Sequence, residues 1–342
     1  MEQISAPSYR RPKLDVLLVI GNTPGMAGKQ QALAQTFPEL LEVLDAKGVD
    51  YHIGVVSTDV GSWVAPGTPW EMTTGACDSF AGDDGALQAV SCLDRSSGSA
   101  AAARACAAVC PDRNYLPTDG SPFIARTAGK SNVPTALVPD PKTGALLDRG
   151  PAYALACMAA LGDGGCAISS PLEAARRALD GHLAANRAFL QPGSLLYLVF
   201  LTDTDDCSMP VLGRADNDPR TKDCATPDSD APAACYSLGP YRCLARDLVC
   251  DQPLNESGAK TGCRERSNSY LTPVESYARF FSVLRPGSTL AVAGIWPTPS
   301  LAELGRFLVE QSPNVAGSAG LETGSGNAAG CVAADDPMFT GR

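Results

Sequence analysis

Residues 15–20 read D-V-L-L-V-I and residues 51–58 read Y-H-I-G-V-V-S-T. Nothing else in the chain constrains the fold as much as these two runs and the helical pattern between them. A nearly unbroken apolar run marks a strand buried on both faces. Between the runs, Met26, Leu33, Phe37, Leu40, Leu41 and Leu44 fall on one helical face. Pro38 is expected to kink this helix, and Lys47-Gly48 ends it with a cation and a glycine. Strands joined through a helix of that length run parallel.

The rhythm recurs further along. Residues 195–201 (L-L-Y-L-V-F-L) and 289–296 (T-L-A-V-A-G-I-W) read as two more strands, with a helix expected near 152–161. Ser170-Pro171-Leu172-Glu173, Thr272-Pro273-Val274-Glu275 and Ser300-Leu301-Ala302-Glu303 each read as a capping box opening a helix. Their expected inward faces are Leu172, Ala175, Leu179 and Leu183, then Val274, Ala278, Phe281 and Leu284, then Leu301, Leu304 and Leu308. Alternating strands and helices predict an α/β fold, a doubly wound, mostly parallel open sheet. The expected organisation is an N-terminal extension over 1–12, one domain over 13–311 and a Gly-, Ser- and Ala-rich tail over 312–342.

Two stretches, 59–150 and 205–271, interrupt the domain with frequent Pro, Gly, Ser and Asp. The first holds four of the thirteen cysteines and a short Ala-rich helix near 99–109; the second holds six cysteines. Insertions of this length are functional or separately stapled. Zinc would want paired C-x2-C spacings or nearby histidines. The chain offers one C-x3-C, Cys106 and Cys110, and two histidines, His52 and His182. A disulfide framework in an oxidising compartment is therefore expected, with one odd thiol left free, intermolecular or without its partner. That places the protein outside the cytoplasm: secreted, periplasmic or at the cell surface. No leader precedes the domain, so Met1 is expected to begin a mature or trimmed chain, any lipid anchor being lost from it.

Composition excludes several functions. A net charge of −10, with only Arg10-Arg11-Pro12-Lys13 as a short basic edge, disfavours nucleic acid as a partner. No segment has the eighteen apolar residues of a membrane span. Acidic clusters such as Asp83-Asp84, Asp203-Asp205-Asp206 and Asp216-Asp218-Asp223 lack EF-hand spacing and read as solvated loops. Neither histidine stands beside a recognisable nucleophile and G-x-S-x-G is absent, so no catalytic residue is assigned and no enzyme is expected.

The loop V-I-G-N-T-P-G-M, residues 19–26, sits between strand and helix. Gly28-Lys29 has the placement of a P-loop, but Thr23 replaces its first glycine and Gln30 its magnesium hydroxyl, which makes a nucleotide hydrolase the remote alternative. Thr23-Pro24 also suits an N-cap followed by an N1 proline.

Taken with L-D-V-L-L-V-I before it and G-M-A-G-K-Q-Q after it, this loop resembles the start of a von Willebrand factor A domain, of the cysteine-rich bacterial secreted or lipoprotein-like type. The T-D-T-D-D-C-S of residues 202–208, the strand Y-H-I-G-V-V-S-T-D and the Y-S-L-G-P-Y-R-C-L-A-R-D-L-V-C-D of residues 236–251 match that family in order. The resemblance spans most of residues 13–311. It implies a sheet with a divalent ion, Mg²⁺ or Ca²⁺, at the strands' carboxyl ends, and use in adhesion or assembly with protein. The implied ligands are Thr23, a hydroxyl near Ser169 or Ser170, and Asp203. The set is weak or vestigial. Gly21 stands where the family has its loop aspartate and Gly25 where it has its second serine, so a charge and an oxygen ligand are missing. The expected protein is a non-enzymatic exported module for protein binding, adhesion or self-assembly, without cofactor or the usual ion. The alternative is a Mg²⁺- or Ca²⁺-dependent adhesion module using the reduced ligand set.

Overall fold

The apolar runs become the centre of a three-layer structure because successive side chains of a strand point to opposite faces. The computed structural model describes residues 11–61, 82–95, 98–166, 169–204, 206–208, 248–249, 251, 259–262, 264–265, 271–286, 289–295 and 307–308. In chain order its elements are β1 (Lys13–Ile20), α1 (Ala27–Ala34), α2 (Phe37–Ala46), β2 (Asp50–Ser57), α3 (Ala100–Val109), β3 (Ile124–Thr127), β4 (Lys130–Ser131), β5 (Leu137–Pro139), β6 (Leu146–Asp148), α4 (Gly150–Ala159), α5 (Pro171–Leu179), β7 (Leu195–Leu201), β8 (Leu248–Val249), β9 (Ala259–Lys260), β10 (Arg264–Glu265), α6 (Val274–Leu284), β11 (Leu290–Ile295) and β12 (Phe307–Leu308).

Six strands form the main sheet in the order β11-β7-β1-β2-β3-β4. The first four are mutually parallel, and β3 and β4 join antiparallel at one edge. Val16, Leu18 and Ile20 of β1 pack on one side against Ala34, Phe37, Leu41, Leu155 and Met158 of α1, α2 and α4. Leu17 and Val19 pack on the other side against Ala175, Leu179, Tyr277 and Phe281 of α5 and α6. Both faces of β1 are covered, which is why it reads as continuous apolar sequence.

Several expectations are corrected. The first helix is two helices: Pro38 lies in the opening turn of α2 rather than kinking one long helix, and Leu40 is exposed. A proline there gives up only an N–H that has no partner in any case. On α6 the inward residues are Tyr277 and Phe281, with Leu284 half-buried against the same core as expected, while Val274 and Ala278 face solvent. The stretch 59–150 is more than an excursion, since it supplies β3 and β4 to the main sheet. Its stapling follows the expectation in part. Cys92 bonds Cys106 of α3, and Cys110 bonds Cys157 of α4, with Cα separations of 5.9 and 4.6 Å. Cys166 and Cys207 also stand in disulfides. Of the helix expected from Ser300, only Phe307–Leu308 is described, and it is a strand antiparallel to β9. The remainder of that helix, residues 1–10, most of 205–271 and the tail 312–342 lie outside the described residues. No helix among the described residues is long and apolar enough to cross a membrane.

Candidate functional site at the carboxyl edge of the sheet

In the strand order, β2 lies on one side of β1 and β7 on the other. The order therefore reverses at β1, and in open α/β sheets the crevice beyond the strands' carboxyl ends at such a reversal is where ligands bind. Two loops leave the sheet here. The Gly21 N–H donates to Leu201 O at 2.7 Å, so the exits of β1 and β7 start side by side.

Thr23 and Asp203 meet across this crevice. The Thr23 hydroxyl donates to Asp203 Oδ1 at 3.0 Å. Lys29 Nζ, from the first turn of α1, donates to Asp203 Oδ2 at 2.9 Å and approaches Gly25 O at 3.4 Å. Gly25 has φ +95°, a left-handed turn that glycine adopts without strain, and α1 then begins after Met26. Thr23 is not the helix cap suggested by Thr23-Pro24; Met26 holds that position without a side-chain bond. A lysine in a helix's first turn sits at the unfavourable end of the helix dipole. The Asp203 carboxylate compensates it.

Ser170 does not join this pair. Its hydroxyl donates to Cys207 O at 3.1 Å and its N–H to Thr58 O at 2.9 Å. The neighbouring Ser169 hydroxyl, the Thr58 hydroxyl and Asn22 Oδ1 are buried without hydrogen-bond partners. Groups of this kind are where ordered water or a polar ligand is held.

Among the described residues, the set at this edge does not fit a divalent ion. Mg²⁺ wants about six oxygens with carboxylate charge among them. Asp203 is one carboxylate, and both its oxygens are engaged by Thr23 and Lys29. A Cβ on Gly21 would stand 3.2 Å from Met26 Cε and 3.4 Å from Leu201 O, so Met26 would have to shift slightly to admit a side chain there. A side chain on Gly25 would approach Asp203 Oδ2, with Cβ at 3.6 Å, but only from a strained backbone. Among the described residues no group of three or more His, Cys, Asp or Glu is placed to hold a metal. The P-loop alternative also lacks its chemistry. Gln30 bridges Gly21 O at 2.7 Å and the Gly162 backbone, accepting from its N–H at 2.9 Å, so it packs two loops together and leaves no magnesium hydroxyl.

A second polar cluster went unread in the sequence. Glu173, expected as the closing half of a capping box, is buried. It accepts from Arg176 at 2.9 and 2.7 Å, from Arg177 at 2.8 Å and from the Tyr277 hydroxyl at 3.1 Å. The Glu173 N–H instead donates to the Ser208 hydroxyl at 2.9 Å, so Ser208 does what Ser170 was expected to do. Arg177 continues to Asp84, and His182 bridges Asp84 and Asp180. Burial raises the Glu173 pKa, but the two guanidinium groups outweigh it and hold the carboxyl below its ordinary range. Burial pushes Asp206 up to about 6 against its bonds to Ser208.

At the opposite end of the sheet His52 stands near a carboxylate and a hydroxyl, yet forms no catalytic pair. Its Nδ1 lies 2.6 Å from Phe189 O and 4.0 Å from Asp15 Oδ1. The Ser194 hydroxyl bonds Asp15 rather than the imidazole. Asp205 and the acidic positions from 216 to 230 lie outside the described residues. No known family, curated protein or solved structure matches this chain.

Proposed function

We propose that this chain is a von Willebrand factor A-like domain, exported from the cytoplasm, that binds or assembles with protein at the cell envelope and is not an enzyme. Its doubly wound sheet presents the carboxyl-edge loops as the binding face, without the usual divalent ion. The observation that carries this reading is the Lys29–Asp203 pair at the strand-order reversal, where the lysine ammonium balances the carboxylate. The disulfides Cys92–Cys106 and Cys110–Cys157 support an oxidising compartment. The step from fold type to adhesion is an analogy with how such domains are used.

The test is cross-linking of the full chain to envelope proteins with and without EDTA, alongside light scattering for self-association. The expected result is a discrete partner, or a second copy, cross-linked through residues 21–26 or 202–208 and indifferent to EDTA. Cross-links lost with EDTA and restored by Mg²⁺ or Ca²⁺ would favour the metal-dependent alternative. ATP or GTP turnover that disappears in Lys29→Ala would favour the nucleotide reading.

A further inference from the structure

We infer that α3 is a redox latch: the disulfides Cys92–Cys106 and Cys110–Cys157, and not its own packing, hold it against α1 and α4, so it docks when they are formed and is released when they are reduced. This goes beyond the reading of the carboxyl edge and does not depend on it.

The inward face of α3 is made of small side chains. Ala102, Ala105, Cys106 and Val109 follow i, i+3, i+4 and i+7 along its ten residues. Ala102 and Ala105 meet Ala27 of α1, methyl against methyl. Burying a methyl returns less than fixing one residue's backbone costs, and an isolated helix of this length is marginal in water. The amino end adds a polar tie, in which the Ser99 N–H donates to Asp163 Oδ1 at 2.9 Å and its hydroxyl to Oδ2 at 2.5 Å. Both bonds are exposed, where water replaces them at little cost. The carboxyl end is held differently. Cys106 and Cys110 stand four residues apart and reach Cys92 and Cys157. The four cysteines form one buried cluster with Ala160, against which Val109 packs. The Cys92 N–H donates to Cys157 O at 2.9 Å, so both bonds converge on the end of α4. A cross-link stabilises without needing apolar area, which is what the alanine face of α3 lacks. Each bond opens by taking two electrons and two protons from a dithiol, which closes to its own disulfide. Release of α3 uncovers Cys157 and Ala160 at the end of α4. It also uncovers Ala27, two residues before Lys29 in the first turn of α1.

The experiment is hydrogen exchange of the full chain read by mass spectrometry. It compares wild type with the quadruple variant Cys92→Ala/Cys106→Ala/Cys110→Ala/Cys157→Ala, both without reductant. In wild type, residues 103–110 are expected to be protected at least about 100-fold over an unstructured peptide. In the variant they are expected to exchange within about tenfold of one, while β1, β2 and β7 stay protected at least about 1000-fold. Wild type placed in dithiothreitol is expected to lose protection at 103–110 before β1, β2 or β7 does, and re-oxidation is expected to restore it. Protection at 103–110 that persists in the variant overturns the inference, because packing then suffices. Loss across β1, β2 and β7 together with 103–110, in the variant or in dithiothreitol, overturns it too, because the bonds then hold the whole sheet. A variant that does not fold counts as that second outcome. These readings concern the chain alone, so they stand whether or not a protein partner is found.

Discussion

Glu173 and Asp203 are both carboxylates neutralised by basic side chains of their own chain, yet they are held in opposite ways. Glu173 is sealed between α5 and α6, with two arginines and a tyrosine filling its oxygens. Through Arg177 and Asp84, and through Ser208, it also ties both cysteine-rich stretches to α5. Asp203 sits at the mouth of a crevice, held by one hydroxyl and one lysine whose side chain is 43% exposed. A buried carboxylate that loses its partners leaves uncompensated charge, whereas an exposed pair that separates is taken up by water. The first arrangement therefore serves stability. The second leaves the crevice able to respond to a ligand or to substitution.

The largest expected effect follows from the buried member. Glu173→Gln removes the buried counter-charge that Arg176 and Arg177 share, leaving them only Asp180 and Asp84, and should cost about 3–5 kcal/mol in urea unfolding. Asp203→Asn should cost only about 1 kcal/mol, and equal losses would break the comparison. Acid sharpens it. Because the folded Glu173 pKa is depressed, its contribution is present above the ordinary value of 4.5 and is lost as pH falls through the depressed one. Glu173→Gln should flatten that part of the stability-against-pH curve, and an unchanged slope would remove Glu173 as its source. Lys29→Met should change stability by less than about 1 kcal/mol, with the difference shrinking in 1 M salt. The smallest effect concerns His182. Burial lowers its pKa, but Asp180 and Asp84 outweigh this and raise it. Its stabilising contribution is thus present below the ordinary value of 6.5 and lost as pH rises through the raised one. His182→Gln should remove a shallow slope there and leave the acid limb untouched.

The sheet was legible because its central strands are buried on both faces. The run at 195–201 is β7 without adjustment, and 15–20 and 51–58 differ from β1 and β2 only at their ends. The sheet's far edge was not legible. β3 and β4 have four and two residues and sit inside a turn-rich, cysteine-bearing stretch, where no periodicity accumulates. Tyr277 was missed because its ring is apolar but its hydroxyl reaches Glu173, 104 residues away. The capping box at Ser170 failed for a similar reason, since Ser208 outcompetes it from another loop. At the candidate site the sequence pointed to Thr23 and Asp203, which do meet, and to Ser170, which is engaged with Cys207 instead. In the sequence Lys29 stands where a P-loop has its phosphate-binding lysine. Its actual partner lies 174 residues away, and only the strand order brings the two together.

The most direct test of the account is a crystal structure grown with Mn²⁺ in excess, with data collected at a wavelength where manganese scatters anomalously. The account predicts Lys29 Nζ on Asp203 Oδ2 and no manganese peak within bonding distance of Asp203. A peak bound to Asp203 and Thr23, with the lysine side chain displaced, would contradict it.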